Sequence, residues 1–164
     1  MAPKKHESLL TMYLSTSTFK TIIEYAPLVS IDLVIQNENE EVLLGYRNNR
    51  PAQGFLFVPG GRILKDESMT AAFKRLTLNE LGTEFSLSNA QLIGPFEHFY
   101  HDNVMGDDFS THYIALGYRL KVNSQQLNLP LDQHSHYVWM SVEKLLVDQK
   151  VHKHSRWYFD RSSN

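Results

Sequence analysis

The stretch PGGRILKDESMTAAFKRLTLNELG, from Pro59 to Gly82, decides the fold. Its opening Pro59-Gly60-Gly61 breaks any regular element, since proline lacks a backbone donor and paired glycines loosen the chain. From about Ser68 to Leu81 apolar residues return at helical spacing, and Gly82 supplies the stop. At the ~100° per residue of an α-helix, Met69, Phe73 and Leu76 share one stripe, and Glu80 falls in its middle. A carboxylate there needs a partner: it reaches solvent near the helix end, or it meets a metal ion at the rim of the core. Around it the spacing is ordered, with five residues between Gly61 and Glu67, seven to Arg75, four to Glu80 and one to Gly82.

Working outward, Phe55 to Val58 reads as a short strand entering the breaker, after a polar loop from Asn48 to Gly54. Leu28 to Ile35 is an apolar, β-branched run typical of a buried strand, and turn-rich Asn37 to Glu40 joins it to a strand from Val42 to Arg47 as a hairpin. Ser17 is placed to cap a short helix through about Tyr25, ended by Pro27. Downstream, Ala90 to Tyr100 and His112 to Val122 read as paired strands around the loop His101 to Ser110. A second loop, Asn123 to Ser135, leads to a strand from Tyr137 to Met140, and Ser141 caps a final helical region. Strands adjacent in sequence predict an α+β fold with a mixed sheet rather than repeated βαβ units. Residues 1–15 read as an N-terminal arm and residues 16–164 as one domain, a size that closes a single core.

The 164 residues carry a formal charge of -2, which lacks the positive field of a nucleic-acid binder. With no cysteine, thiolate chemistry and Cys-type zinc sites are excluded, so any metal sits on oxygen or imidazole, and a reducing cytoplasm is the expected location. No apolar run approaches the ~18 residues of a membrane-spanning helix, and the N-terminus lacks the continuous apolar core of a signal peptide. No nucleic acid and no membrane are expected as partners.

The spacing of Gly61, Glu67, Arg75, Glu80 and Gly82 resembles the signature box of the Nudix hydrolases. That resemblance implies a mixed β-sheet packed between α-helices, with a loop-helix-loop element that holds a divalent cation and a substrate diphosphate. Magnesium suits such a site, since it prefers hard oxygens and is commonly shared with substrate phosphates. Leu76 and Asn79 stand where the family pattern carries glutamates. Those departures are shared with the GDP-mannose mannosyl hydrolases of the family, to which the chain is similar from about Pro27 to Phe159. The blocks that carry the likeness include Pro27-Leu28-Val29-Ser30, Asn49-Arg50-Pro51-Ala52-Gln53-Gly54, Phe57-Val58-Pro59-Gly60-Gly61-Arg62, His98-Phe99-Tyr100, Thr111-His112-Tyr113 and Gln133-His134.

The closer resemblance implies hydrolysis of GDP-mannose, or of GDP-glucose, to GDP and free sugar by attack of water at the anomeric carbon with inversion. It implies one Mg2+ (or Mn2+) per subunit on the Gly60 carbonyl, the Glu80 carboxylate and the Gln133 amide, His134 as general base, and Arg62 stabilising the leaving diphosphate. Arg47 and Tyr113 match positions that contact phosphates, with a surface arginine and a core tyrosine as the alternatives; a homodimer is implied too. Glu67 and Arg75 would brace loop on helix. Asp32 interrupts a buried run on the face of Ser30 and Val34, where an unpaired carboxylate is costly, so it is expected to face the site and to contact the sugar or orient a partner. His98 either lines the pocket or makes a structural hydrogen bond, and His152 and His154 read as surface residues. Two other functions stay open: a pyrophosphohydrolase attacking phosphorus, and a non-catalytic module that binds sugar nucleotides.

Overall fold

The computed structural model describes residues 14–131 and 134–160. Chain order is α1 (Thr16–Tyr25), β1 (Leu28–Gln36), β2 (Val42–Arg47), β3 (Leu56–Phe57), β4 (Gly60–Arg62), α2 (Met69–Leu81), β5 (Gln91–Tyr100), β6 (Thr111–Lys121), β7 (His134–Met140), α3 (Val142–Val147) and α4 (Lys153–Trp157). The sheet runs β3-β2-β1-β6-β5, with β4 pairing β1 and β7 pairing β2. Only β1 and β6 pair in parallel, and β1–β2 and β5–β6 are antiparallel as expected, so the sheet is mixed.

β1 is almost continuously buried because both faces of the sheet are covered. Its alternating side chains divide the core. Ile31, Leu33 and Ile35 pack with Phe73, Leu76 and Leu81 of α2, whereas Val34 joins Leu44, Phe57, Leu145 and Tyr158 on the other face. Burying each of these large α2 side chains contributes roughly 1.5–3 kcal/mol. Asp32 and Ser30 share the face of Val34, as the sequence pattern predicted.

The glycines read as a breaker form β4 by pairing with β1, and several element boundaries also differ from the sequence reading. Ser15, not Ser17, caps α1 by accepting from the Thr18 amide at 3.2 Å; it competes successfully because it lies one residue before the first helical turn. The loop expected through Ser135 contains a 3-10 turn at Ser124–Gln126, and β7 begins at His134, because pairing with Arg47 at the end of β2 extends the strand. The final helical region is two short helices, the second folded back so that Val151 bridges Leu56. Helix α2 agrees with expectation, with Ser68 as N-cap and Gly82 as a left-handed C-cap.

Candidate active site

The loop before α2 is locked to the helix by one ion pair. Arg75 donates from Nε and Nη2 to the two Glu67 oxygens at 2.7 and 2.8 Å, and from Nη2 to the Arg62 carbonyl at 2.9 Å. Glu67 also accepts from the Leu64 amide at 3.0 Å. The Arg75 hydrogen bond is the main reason the Glu67 carboxyl stays below its usual range. Both are therefore occupied as braces, as expected of the spacing.

Above this brace lies a cavity of about 300 Å³ lined by Gly60, Gly61, Arg62, Arg75, Leu76, Asn79 and Glu80 on one side. Phe19, Ile23, Arg50, Val104, Thr111 and Tyr113 line the other. At Gly61 a Cβ would come within 2.7 Å of the Leu76 Cδ2 methyl, so the leucine side chain packs directly against the glycine backbone. Glu80 is 3% exposed, and burial pushes its carboxyl up to about 7 against the opposing charges of Arg47 and Arg75. A second cavity, about 70 Å³, is lined by Asp32, Arg47, Phe57, Gly60, His98, Tyr100 and Tyr113. Gly60, Gly61, Pro51 and Tyr113 border both cavities, so the two adjoin at β4.

Arg47 lines the small cavity and is partly buried rather than lying free on the surface. Its charge acts on Glu80, Asp32 and His134, and its fully buried Nε has no hydrogen-bond partner among the described residues. Tyr113 lines both cavities. Arg62 lies with its guanidinium 4.4 Å from the Phe19 ring centroid, so α1 forms part of the wall.

Asp32 is buried as expected, and burial raises its carboxyl to about 6, opposed by a hydrogen bond from Tyr158 and by Arg47. That bond, Tyr158 hydroxyl to Asp32 Oδ2 at 2.7 Å, joins positions 126 apart, so no local pattern pointed to Tyr158. His98 lines the small cavity and is also structural: 2% exposed, it stacks on His154 with centroids 4.2 Å apart.

The surface assignment of His152 and His154 is overturned. His154 is 1% exposed, and His152 caps α4 by accepting from the His154 amide at 3.2 Å. The fold-back of the C-terminal segment onto β3 places both rings inward. Burial, reinforced by His98, drives the His154 imidazole down to about 2 from 6.5, so it is neutral when folded. A lowered folded pKa gives stability that is full above the unfolded value and lost as pH falls below it. Relative to wild type, His154→Leu is expected to gain about 1.4 kcal/mol of unfolding free energy per pH unit below 6.5, read by urea titrations at pH 7.5 and 5.5.

His134 is 2% exposed with its ring packed on Gly45, where a Cβ would come within 2.3 Å of the imidazole. Burial, then Arg47, lowers its pKa to about 4, so the ring is neutral near pH 7. Tyr137 donates its hydroxyl proton to the Pro130 carbonyl, and its oxygen lies 3.3 Å from His134 Nδ1. A neutral imidazole keeps the one ring lone pair that a base needs, but His134 is not among the lining residues of either cavity.

The expected ligand Gln133 lies outside the described residues. Among the described residues no three His, Asp or Glu side chains converge as a metal cluster. The donors at the large cavity are hard oxygens: the Glu80 carboxylate and the carbonyl of Gly60 on its wall. They fit an ion that takes one or two carboxylates and completes its shell with substrate phosphates and water.

The sequence pattern of the NUDIX domain matches residues 26–160. The chain belongs to the Nudix family. A relative by sequence is the low-salt glycan biosynthesis protein Agl8 of Haloferax volcanii, 39% identical over 117 residues, 71% of this chain and 72% of that protein. Among solved structures, the MutT protein of Methanosarcina mazei Go1 aligns with TM-score 0.66 and 26% identity, covering 82% of this chain and 92% of that one. The NUDIX domain of Shewanella oneidensis NrtR, complexed with ADP ribose, aligns with TM-score 0.61 at 18% identity and 95% of both chains, a likeness of fold. Nudix membership makes the chain a hydrolase of nucleoside-diphosphate compounds. No helix among the described residues is long and apolar enough to cross a membrane.

Proposed function

We propose that this Nudix hydrolase cleaves GDP-mannose, or a closely related GDP-sugar, to GDP and free sugar by attack of water on the anomeric carbon. One observation carries the reading: among the described residues lining the large cavity, Glu80 is the sole carboxylate, with Leu76 and Asn79 beside it and Arg50, Arg62 and Arg75 around it. Attack on phosphorus calls for carboxylates and metal to manage charge on the phosphoryl group. Attack on carbon instead needs a diphosphate held as a leaving group and one base for water. The name of the Haloferax relative, a glycan biosynthesis protein, supports a sugar-linked substrate.

In this reading Gly60, Glu80 and Gln133 would hold Mg2+, whose positive charge would favour departure of the diphosphate. Arg62 and Arg47, whose Nε has no hydrogen-bond partner among the described residues, add hydrogen-bonding cations to the same oxygens. His134 takes a proton as water forms the new bond to the anomeric carbon, and the bond to the β-phosphate oxygen breaks with its electrons going to GDP. Tyr113, at the border of both cavities, lies where the diphosphate meets the sugar.

Hydrolysis in ¹⁸O water tests the reaction, with mass analysis of both products. The expected label is on mannose, with none in GDP. Label in GMP or mannose phosphate would move the attack to phosphorus and overturn the reading.

A further inference from the structure

Among the buried hydroxyls that take no part in the proposed reaction, that of Tyr158 meets a cavity carboxylate. Tyr158, 4% exposed, follows α4 and sends its hydroxyl to Asp32 Oδ2 at 2.7 Å, with His98 Nε2 3.5 Å away. Its ring stands edge-on to Phe96 with centroids 4.7 Å apart. It also fills a notch in β6 made by Gly117, where a Cβ would lie 2.6 Å from the tyrosine Cε1. Sheet and C-terminal segment thus fix the ring, and through it one oxygen of Asp32. The other oxygen, Oδ1, is turned toward Gly60, where a Cβ would lie 3.0 Å from it. Asp32 and Gly60 line the small cavity together.

We propose that Tyr158 is a positioning residue for sugar recognition: by holding Oδ2, it presents Oδ1 of Asp32 to accept a hydrogen bond from a hydroxyl of the hexose. This rests on reading the site as one for a nucleoside-diphosphate sugar. A carboxylate already pinned at one oxygen loses little freedom when the other binds ligand, so its hydrogen bond is retained as affinity. The hexose carries the donors that a carboxylate accepts, whereas GDP ends at its phosphates. The contact therefore discriminates between substrate and product, and the small cavity has room for an edge of a sugar.

Tyr158→Phe deletes the hydroxyl and leaves the ring in the Gly117 notch. Binding of GDP and of GDP-mannose, each with Mg2+, is read by stopped-flow tryptophan fluorescence before turnover, since Trp157 lies 6.0 Å from the His98 ring. The variant is expected to bind GDP-mannose about tenfold more weakly, the loss of one charge-assisted hydrogen bond, with GDP binding unchanged. Gly117→Ala, which pushes the ring from its notch, is expected to give the same sugar-selective loss. Unchanged affinity for GDP-mannose in Tyr158→Phe, or an equal loss for both ligands, would overturn the proposal. Wild-type protein that binds GDP-mannose without releasing mannose overturns the hydrolase reading alone, because the comparison of affinities needs no turnover.

Discussion

Glu80→Gln is expected to lower kcat by about 10³-fold or more, roughly 4 kcal/mol in the transition state, while the melting temperature stays level or rises. The two effects share one cause. At 3% exposure the carboxylate is held against its own desolvation, which lifts its pKa to about 7 even beside Arg47 and Arg75. An amide of the same shape removes that cost but binds a hard cation far less well. A site kept at the expense of stability behaves this way, whereas a carboxylate serving only the helix would lose stability and leave turnover intact. Steady-state kinetics and calorimetry on the same preparation separate the cases. Near-normal kcat in the variant would remove Glu80 from the metal.

Gly82→Ala is expected to destabilise the fold by roughly 3 kcal/mol or more, through left-handed backbone strain and overpacking together. The glycine ends α2 at φ 68°, and a Cβ there would sit 1.9 Å from the Asn128 carbonyl oxygen. Asn128 donates its amide to the Leu81 carbonyl at 3.0 Å, so this segment is backbone against backbone with no flexible side chain to yield. Gly82→Asn tests the division, since asparagine tolerates the left-handed region but keeps the clash. It is expected to recover little of the loss in urea unfolding, and full recovery would show that conformation alone matters.

The sequence made α2 legible because two signals coincide there, an apolar stripe at helical spacing and Gly82 as stop. The Glu67–Arg75 brace was legible for a similar reason, as both partners belong to one loop-helix unit. Asp32 announced a site because a carboxylate interrupts a buried strand, yet its partner Tyr158 carries no such mark. A tyrosine in a short C-terminal segment acquires its role only when that segment folds back across β6. His154 was misread for the same reason, since two histidines in a polar stretch look solvated until Val151 anchors the segment on Leu56. His134 was expected in a loop because its strand is defined by pairing with Arg47, far away in sequence.

Helix α1 closes one side of the large cavity with a slender hold. Only Ile23 of the helix is buried, and among the described residues its other ties include the Phe19 ring against Arg62, Lys20 over the Phe109 ring and an exposed ion pair between Lys20 and Asp108. Exposed ion pairs contribute little, and segments so attached open locally far below the cost of global unfolding. Amide hydrogens of α1 should therefore exchange with solvent well before those of β1 or α2. Opening of α1 would widen the large cavity at Phe19 and Ile23 while Glu80, on α2, stays in place.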